Sequence, residues 1–330
     1  MPARSLLLGL LVAPVLAAQA PSIAGTLIIT NKTPATATII DVGSGRILAT
    51  LPTGNGPHEV VAAKNGSLAV VTDYGSQSGG STLTVIDLGS RSVARTISLG
   101  EYKRPHGIVF LPGDSVVAVT SESNRVVLLV NVVRGAISRV IPTEQNGSHM
   151  VGVSADGARG FTGNMGSNTV SELDLRAGTF VRKWDVPAQP EAINVTPDGK
   201  EVWVGSNATG KVSALDVATG TVTTAAEGFS WPYRVLFTPD AKLVLLPDYR
   251  GETLRFVDRA TKQELGRINL PGAGPQGITL TPDTKYAFLS LSAQGRIAII
   301  DVARREVVGH IAAGETPDGV AFTSRVVAPR

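Results

Sequence analysis

The sequence predicts an all-β fold, a seven-bladed β-propeller of four-stranded antiparallel blades whose last blade is closed by N-terminal strands. Three observations lead there. An anchor pair, Pro or Ser followed by a polar residue, recurs at Pro57-His58, Pro105-His106, Ser148-His149, Pro190-Glu191, Pro232-Tyr233, Pro275-Gln276 and Pro317-Asp318. Its second members are spaced by 48, 43, 42, 42, 43 and 42 residues, the period of a four-stranded propeller unit. With 36 Gly and 20 Pro in 330 residues and many β-branched side chains, the composition suits short strands joined by tight turns.

Taken in order, residues 1–20 carry one cation, Arg4, a dense apolar stretch over 6–18 and the small-x-small sequence Ala18-Gln19-Ala20. This is the layout of a secretory signal peptide, and the stretch is short for a membrane span. The expectation is therefore an exported chain, periplasmic or secreted, with no membrane span after cleavage and a single propeller domain over 21–330. The first interval is the longest because it holds a Gly/Ser-rich insert at 75–81. Turn signals follow the anchor in phase, as in Thr196-Pro197-Asp198-Gly199 and Thr238-Pro239-Asp240. Further on, Asp41, Asp87, Asn131, Asp174, Asp216, Asp258 and Asp301 each close an apolar strand, as turn caps that accept nearby backbone amides.

Each unit reads as four strands; in the fourth they are expected at 191–196, 201–206, 211–216 and 221–225. Six units are complete. The seventh is split, with its first strand at 319–323 and the other three at 26–31, 36–41 and 47–51. Stacking the units around an axis buries both faces of every blade, and closing the ring protects the edges.

Segments such as Val212-Ser213-Ala214-Leu215-Asp216-Val217-Ala218-Thr219-Gly220 and Glu201-Val202-Trp203-Val204-Gly205-Ser206-Asn207 resemble the YVTN-type repeat of YncE-like propellers. The resemblance runs over about residues 25–324 and rests on structural positions. It implies a propeller and leaves function open, since the superfamily includes DNA-binding proteins, lactonases and parts of redox enzymes.

Charge and composition exclude several classes. There are 30 basic and 27 acidic residues with no long run of either sign, against the basic stripe of a dedicated duplex-DNA binder. Zero cysteine removes disulfides, thiolate metal sites and cysteine nucleophiles. Chemistry is left to the loops entering the inner strands, which lie on one face near the axis. The expected ring is His58, His106, His149, Glu191, Tyr233 with Arg234 beside it, Gln276 and Asp318. Asp73, Glu122 beside Ser121, Asn164 and Asp248, at the ends of second strands, are expected to approach the same face, and Trp231 its mouth. Convergent polar groups in a concavity are a ligand site by default. His58, His106 and His149, with Glu191 or Glu122, are candidate ligands for a divalent metal. The plainer alternative is that Pro-His is a favoured turn whose imidazole bonds loop carbonyls.

Three functions follow from this ring. The first is binding of a small molecule or an envelope protein by a monomer. The second is a lactonase or other metal-assisted hydrolase, with His106 or His149 as base and Arg234 at the oxyanion. The third is single-stranded nucleic-acid binding, which the resemblance implies and which the 5% aromatic content disfavours.

Overall fold

A computed structural model describes residues 23–327, and residues 1–20, expected to be a signal peptide, lie outside the described residues. Seven four-stranded antiparallel sheets form the ring. Blade 1 is Pro57–Ala62, Leu68–Asp73, Thr82–Asp87 and Ser92–Ser98. Blade 2 is Pro105–Phe110, Val116–Ser121, Val126–Asn131 and Ala136–Pro142. Blade 3 is Ser148–Val153, Arg159–Asn164, Thr169–Asp174 and Thr179–Asp185. Blade 4 is Pro190–Val195, Glu201–Ser206, Lys211–Asp216 and Val222–Glu227, within two residues of expectation at every boundary. Blade 5 is Leu236–Phe237, Leu243–Asp248, Thr253–Asp258 and Glu264–Asn269. Blade 6 is Pro275–Leu280, Tyr286–Leu291, Arg296–Asp301 and Glu306–Ala312.

Blade 7 is the split one. Its inner strand, Pro317–Thr323, pairs with Thr26–Asn31, which pairs with Thr36–Asp41 and then Arg46–Pro52. The two ends of the chain thus meet in one ladder, with Thr26 opposite Thr323 and Ile28 opposite Ala321.

The repeat chemistry accounts for the frame. Asp41, Asp87, Asn131, Asp174, Asp216, Asp258 and Asp301 each accept a backbone N–H three residues on, from Ser44, Ser90, Arg134, Ala177, Thr219, Thr261 and Arg304. These bonds satisfy turn amides that would otherwise lack partners. At the opposite turn, the hydroxyls of Ser154, Thr196, Thr238 and Thr281 donate to Asp156, Asp198, Asp240 and Asp283 at 2.6 Å. The core lies between blades. Val70, Leu83 and Val85 pack against Val117, Val119 and Leu128, and Trp203, Ala214 and Val212 against Val235, Val244 and Leu246. Middle strands are therefore buried on both faces, while outermost strands are largely exposed.

Inner strands crowd the axis, and glycine permits it. A Cβ on Gly319 would lie 2.5 Å from the His58 carbonyl oxygen and 2.9 Å from Glu59 Cα. Blade 5 departs from the pattern: its inner strand shrinks to two residues, and Pro232 keeps only an isolated bridge to Asp248. The freed segment sends Tyr233 and Arg234 across the channel. No helix among the described residues is long and apolar enough to cross a membrane.

Candidate functional site

The second members of the anchor pairs do gather at one mouth of the channel. His58, His106, His149, Glu191, Tyr233 and Gln276 line a cavity of about 420 Å³ together with Lys32, Tyr74, Glu122, Met165, Trp231 and Tyr249. Asp318, fully buried, sits behind this lining and accepts from Tyr233 Oη at 2.9 Å, with the Lys32 ammonium 2.8 Å from its other oxygen.

The ends of the second strands behave differently. Asp73 accepts from the hydroxyls of Thr82 and Thr84. Asn164 donates to Thr169 and Ser171 and accepts from Ser148 and Thr162. Asp248 accepts backbone amides of Ser230, Trp231 and Gly251. All three are buried in the wall and contribute nothing to the cavity lining. The next residue along the chain reaches the cavity instead: Lys32, Tyr74, Glu122, Met165 and Tyr249 follow Asn31, Asp73, Ser121, Asn164 and Asp248. Successive side chains of an extended strand point opposite ways. Of these lining residues only Glu122 stands out from the sequence; strand alternation carried one residue further would have found the rest.

The three imidazoles pack in a row. The His106 and His149 rings are 3.8 Å apart between centroids and tilted by 34°, and His58 meets His106 at 5.1 Å. Tyr74 packs on His58 and His106 at 4.4 and 5.2 Å. His58 Nδ1 lies 2.9 Å from the Gly56 carbonyl, His106 Nδ1 3.3 Å from the Met150 sulfur, and His149 Nδ1 2.9 Å from Glu122 Oε2. Tyr74 donates to the same carboxylate oxygen at 3.1 Å. The His58 ring meets that of His106 edge-on, at 66°. Among the described residues, no three His, Cys, Asp or Glu side chains are placed to hold a metal ion. This placement gives no support to the shared ion expected at His58, His106 and His149. The carbonyl-bonded turn imidazole describes His58.

Burial shapes the electrostatics. Desolvation, with help from the Lys32 charge, holds His58 down to about 4, so its imidazole is neutral near pH 7. Its Nδ1–H then donates to Gly56, leaving Nε2 as an acceptor. Burial, then the neighbouring His149 and His58, hold His106 well below the usual histidine range. Burial pushes Glu122 up, but the hydrogen bond and charge of His149 and the Tyr74 hydroxyl bring it below the ordinary carboxylate range. Burial, then Asp318, push the Tyr233 phenol well up.

Beneath the cavity a polar layer closes the channel. Arg234, from blade 5, ion-pairs through Nη2 with Glu59 of blade 1, and its Nη1 donates to the Tyr233 carbonyl at 2.7 Å. Gln276 Nε2 donates to Tyr233 Oη at 3.1 Å. Tyr233 lines the upper cavity, whereas Arg234 and Glu59 line a lower one of about 390 Å³ walled by Val60, Ile108, Val151, Ile193 and Ile278. The expected placement of Arg234 at an oxyanion in the ring is corrected: its guanidinium is committed to Glu59 and faces the other cavity.

Trp231 lines the mouth and donates to Glu191 Oε2 at 2.8 Å. Asn207, which the sequence reading left unassigned, donates to the same oxygen.

No family model matches this chain, and no curated protein matches it. The solved structures supply likeness of fold. A chain of Kuenenia stuttgartiensis hydrazine synthase aligns with a TM-score of 0.74 at 18% identity, covering 89% of this chain and 99% of that one. A functionally unknown protein from Desulfotomaculum acetoxidans DSM 771 aligns with a TM-score of 0.75 at 15% identity, covering 91% and 99%. At these identities the likeness carries the propeller architecture alone.

Proposed function

We propose that this chain is an exported, YncE-like β-propeller that binds a small molecule in the upper cavity. One observation carries the reading: polar and aromatic side chains from all seven blades converge around a single cavity of about 420 Å³, with Asp318 behind its wall, and a buried ion pair closes its floor. The volume falls within the ~300–1,000 Å³ of small-molecule sites. A rigid ring that varies only its mouth residues suits binding, because loops change while the frame stays fixed. The signal-peptide pattern of residues 1–20 supports a place outside the cytoplasm. Trp231 makes the cavity observable. A bound ligand perturbs its fluorescence, and Trp231→Phe removes that component while the signals of Trp184 and Trp203 remain. Ligands that raise thermal stability yet leave the Trp231 signal unchanged would place binding elsewhere.

A second reading, hydrolysis of a lactone or ester, draws on the His149–Glu122 pair. A carboxylate on Nδ1 fixes the tautomer and leaves Nε2 to take a proton from water. His149 replaces His106 as the stronger base candidate, because burial and its histidine neighbours disfavour protonation of His106. His149→Ala is expected to lower lactone turnover by about 10²–10⁴-fold. Unchanged turnover in that variant rules this reading out.

A further inference from the structure

Hydrogen-bond accounting across the upper cavity leaves acceptors open on the blade 4–blade 5 side. Several donors there are used within the protein. Trp231 Nε1 and Asn207 Nδ2 serve Glu191; Tyr233 Oη and Lys32 Nζ serve Asp318. Gln276 Nε2 serves Tyr233, and the Tyr74 hydroxyl serves Glu122. The acceptors left open stand close to Glu191. Both bonds to Glu191 fall on Oε2, which leaves Oε1 open to the cavity that the residue lines. Asn207 Oδ1, on the amide beside it, is also buried without a partner. His58 has its Nδ1 engaged by the Gly56 carbonyl, leaving Nε2 of the neutral ring as an acceptor. An acceptor held out of water without a donor is unfavourable, so these open acceptors favour a ligand that brings donors.

Charge and shape narrow the class. Lys32 is matched by Asp318, and Glu122 has His149 and Tyr74. Glu191 alone among the lining carboxylates has no cationic side chain in contact; its partners are an indole and an amide. Around it stands a wall of three aromatic rings. Trp231 meets Tyr249 edge-on at 6.0 Å, and Tyr249 meets Tyr233 at 5.7 Å. Aromatic faces beside a carboxylate attract organic cations through the ring quadrupole. Trp231 already holds one cation in this way, with the Arg250 guanidinium 4.2 Å above its ring.

We propose that the blade 4–blade 5 side of the cavity is a subsite for a small organic cation with N–H donors, a primary ammonium group, with Glu191 as counter-ion and Trp231, Tyr233 and Tyr249 as its aromatic wall. This rests on the reading of the cavity as a small-molecule site and names the ligand class for it. The ammonium places one N–H on Glu191 Oε1, and its remaining protons suit the unpaired acceptors of the same cavity. Its alkyl or aryl stem lies along the rings.

The test is calorimetric titration of the full chain with three compounds of one skeleton: phenethylamine, 2-phenylethanol and phenylacetate. The amine is expected to bind about tenfold or more tighter than the alcohol, as for hydrogen bonds to a charged group, with the acid weakest. Glu191→Gln is expected to remove the amine's advantage and leave the alcohol's affinity unchanged. Trp231→Leu, which leaves the carboxylate in place, is expected to weaken the amine and supplies a second handle if the Glu191 variant does not fold. Alcohol or acid binding as tightly as the amine overturns the cation subsite and leaves the small-molecule cavity standing. Failure of all three compounds to bind overturns both. Amine binding undiminished in both variants places it on the surface and overturns the proposal as well.

Discussion

Asp73→Asn should stabilise the protein at neutral pH, although it removes a residue with several hydrogen bonds. Asp73 is buried at the end of the second strand of blade 1, and desolvation raises its carboxyl to about 6 against the opposing bonds from Thr82, Thr84 and Gly54. Its folded value thus lies above the unfolded one of 3.8. Between those values the folded state holds the extra proton, so this group's contribution falls as pH rises from about 4 to about 6 and stays unfavourable above. The gap is worth about 3 kcal/mol at ~1.4 kcal/mol per tenfold. Asparagine is the neutral isostere, and the repeat already uses it at this position. Asn31 donates to Thr36 and Thr38, and Asn164 to Thr169 and Ser171, where Asp73 instead accepts from Thr82 and Thr84. The assay is urea unfolding of wild type and variant at pH 4 to 8. His58, whose folded value is depressed to about 4, adds a slope of opposite sign, but it is common to both proteins and cancels in the difference. The variant should gain up to about 3 kcal/mol at pH 7 and nothing at pH 4. A variant less stable at pH 7, or a difference that does not change with pH, refutes the account of Asp73 as a desolvated carboxyl.

Two further expectations concern the channel. Removing one partner of the Arg234–Glu59 pair, as in Glu59→Leu or Arg234→Leu, leaves a buried charge alone. Each single variant should lose about 3–5 kcal/mol, and the double variant much less than their sum; additive losses in urea titrations would show that the two charges act independently. Gly319→Ala forces a methyl group against the backbone at His58 and Glu59. It should cost about 1–3 kcal/mol, seen as a lower thermal midpoint, whereas a neutral effect would mean that the inner strands of blades 7 and 1 can separate freely.

The architecture was legible because it repeats. Proline or serine at each anchor, a Thr/Ser–Asp turn and a closing Asp or Asn recur in phase, and each maps onto the same bonds in successive blades. The mouth ring was legible for the same reason, at one residue per blade. The positions one residue past the second strands were not, since Lys32, Tyr74, Glu122, Met165 and Tyr249 share a place but no chemistry. Spacing brought three histidines of adjacent blades together, but it could not tell how their rings would be oriented: His58 meets His106 edge-on, and Glu122 takes His149 Nδ1. The cross-channel pair left a trace that chemistry alone made visible. The residues following the anchor pairs are Glu59, Gly107, Met150, Ala192, Arg234, Gly277 and Gly319. Two are charged, with opposite signs, and the others are small or apolar.

That three-residue run also explains how one frame can serve different ligands. The first residue sets the turn into the inner strand. The second faces the mouth, where His58, His106, His149, Glu191, Tyr233 and Gln276 supply the chemistry. The third faces the axis, where glycine lets strands approach and Glu59 meets Arg234. A change at the second position therefore alters the cavity with little effect on packing, while a change at the third disturbs the ring itself. Blade 5 is where the two roles merge. By giving up most of its inner strand it places Tyr233 in the cavity wall and Arg234 in the floor beneath, so the residues that shape the site also seal the channel. On this arrangement, substitutions at Tyr233 should affect binding and stability together, whereas those at Glu191 should separate the two.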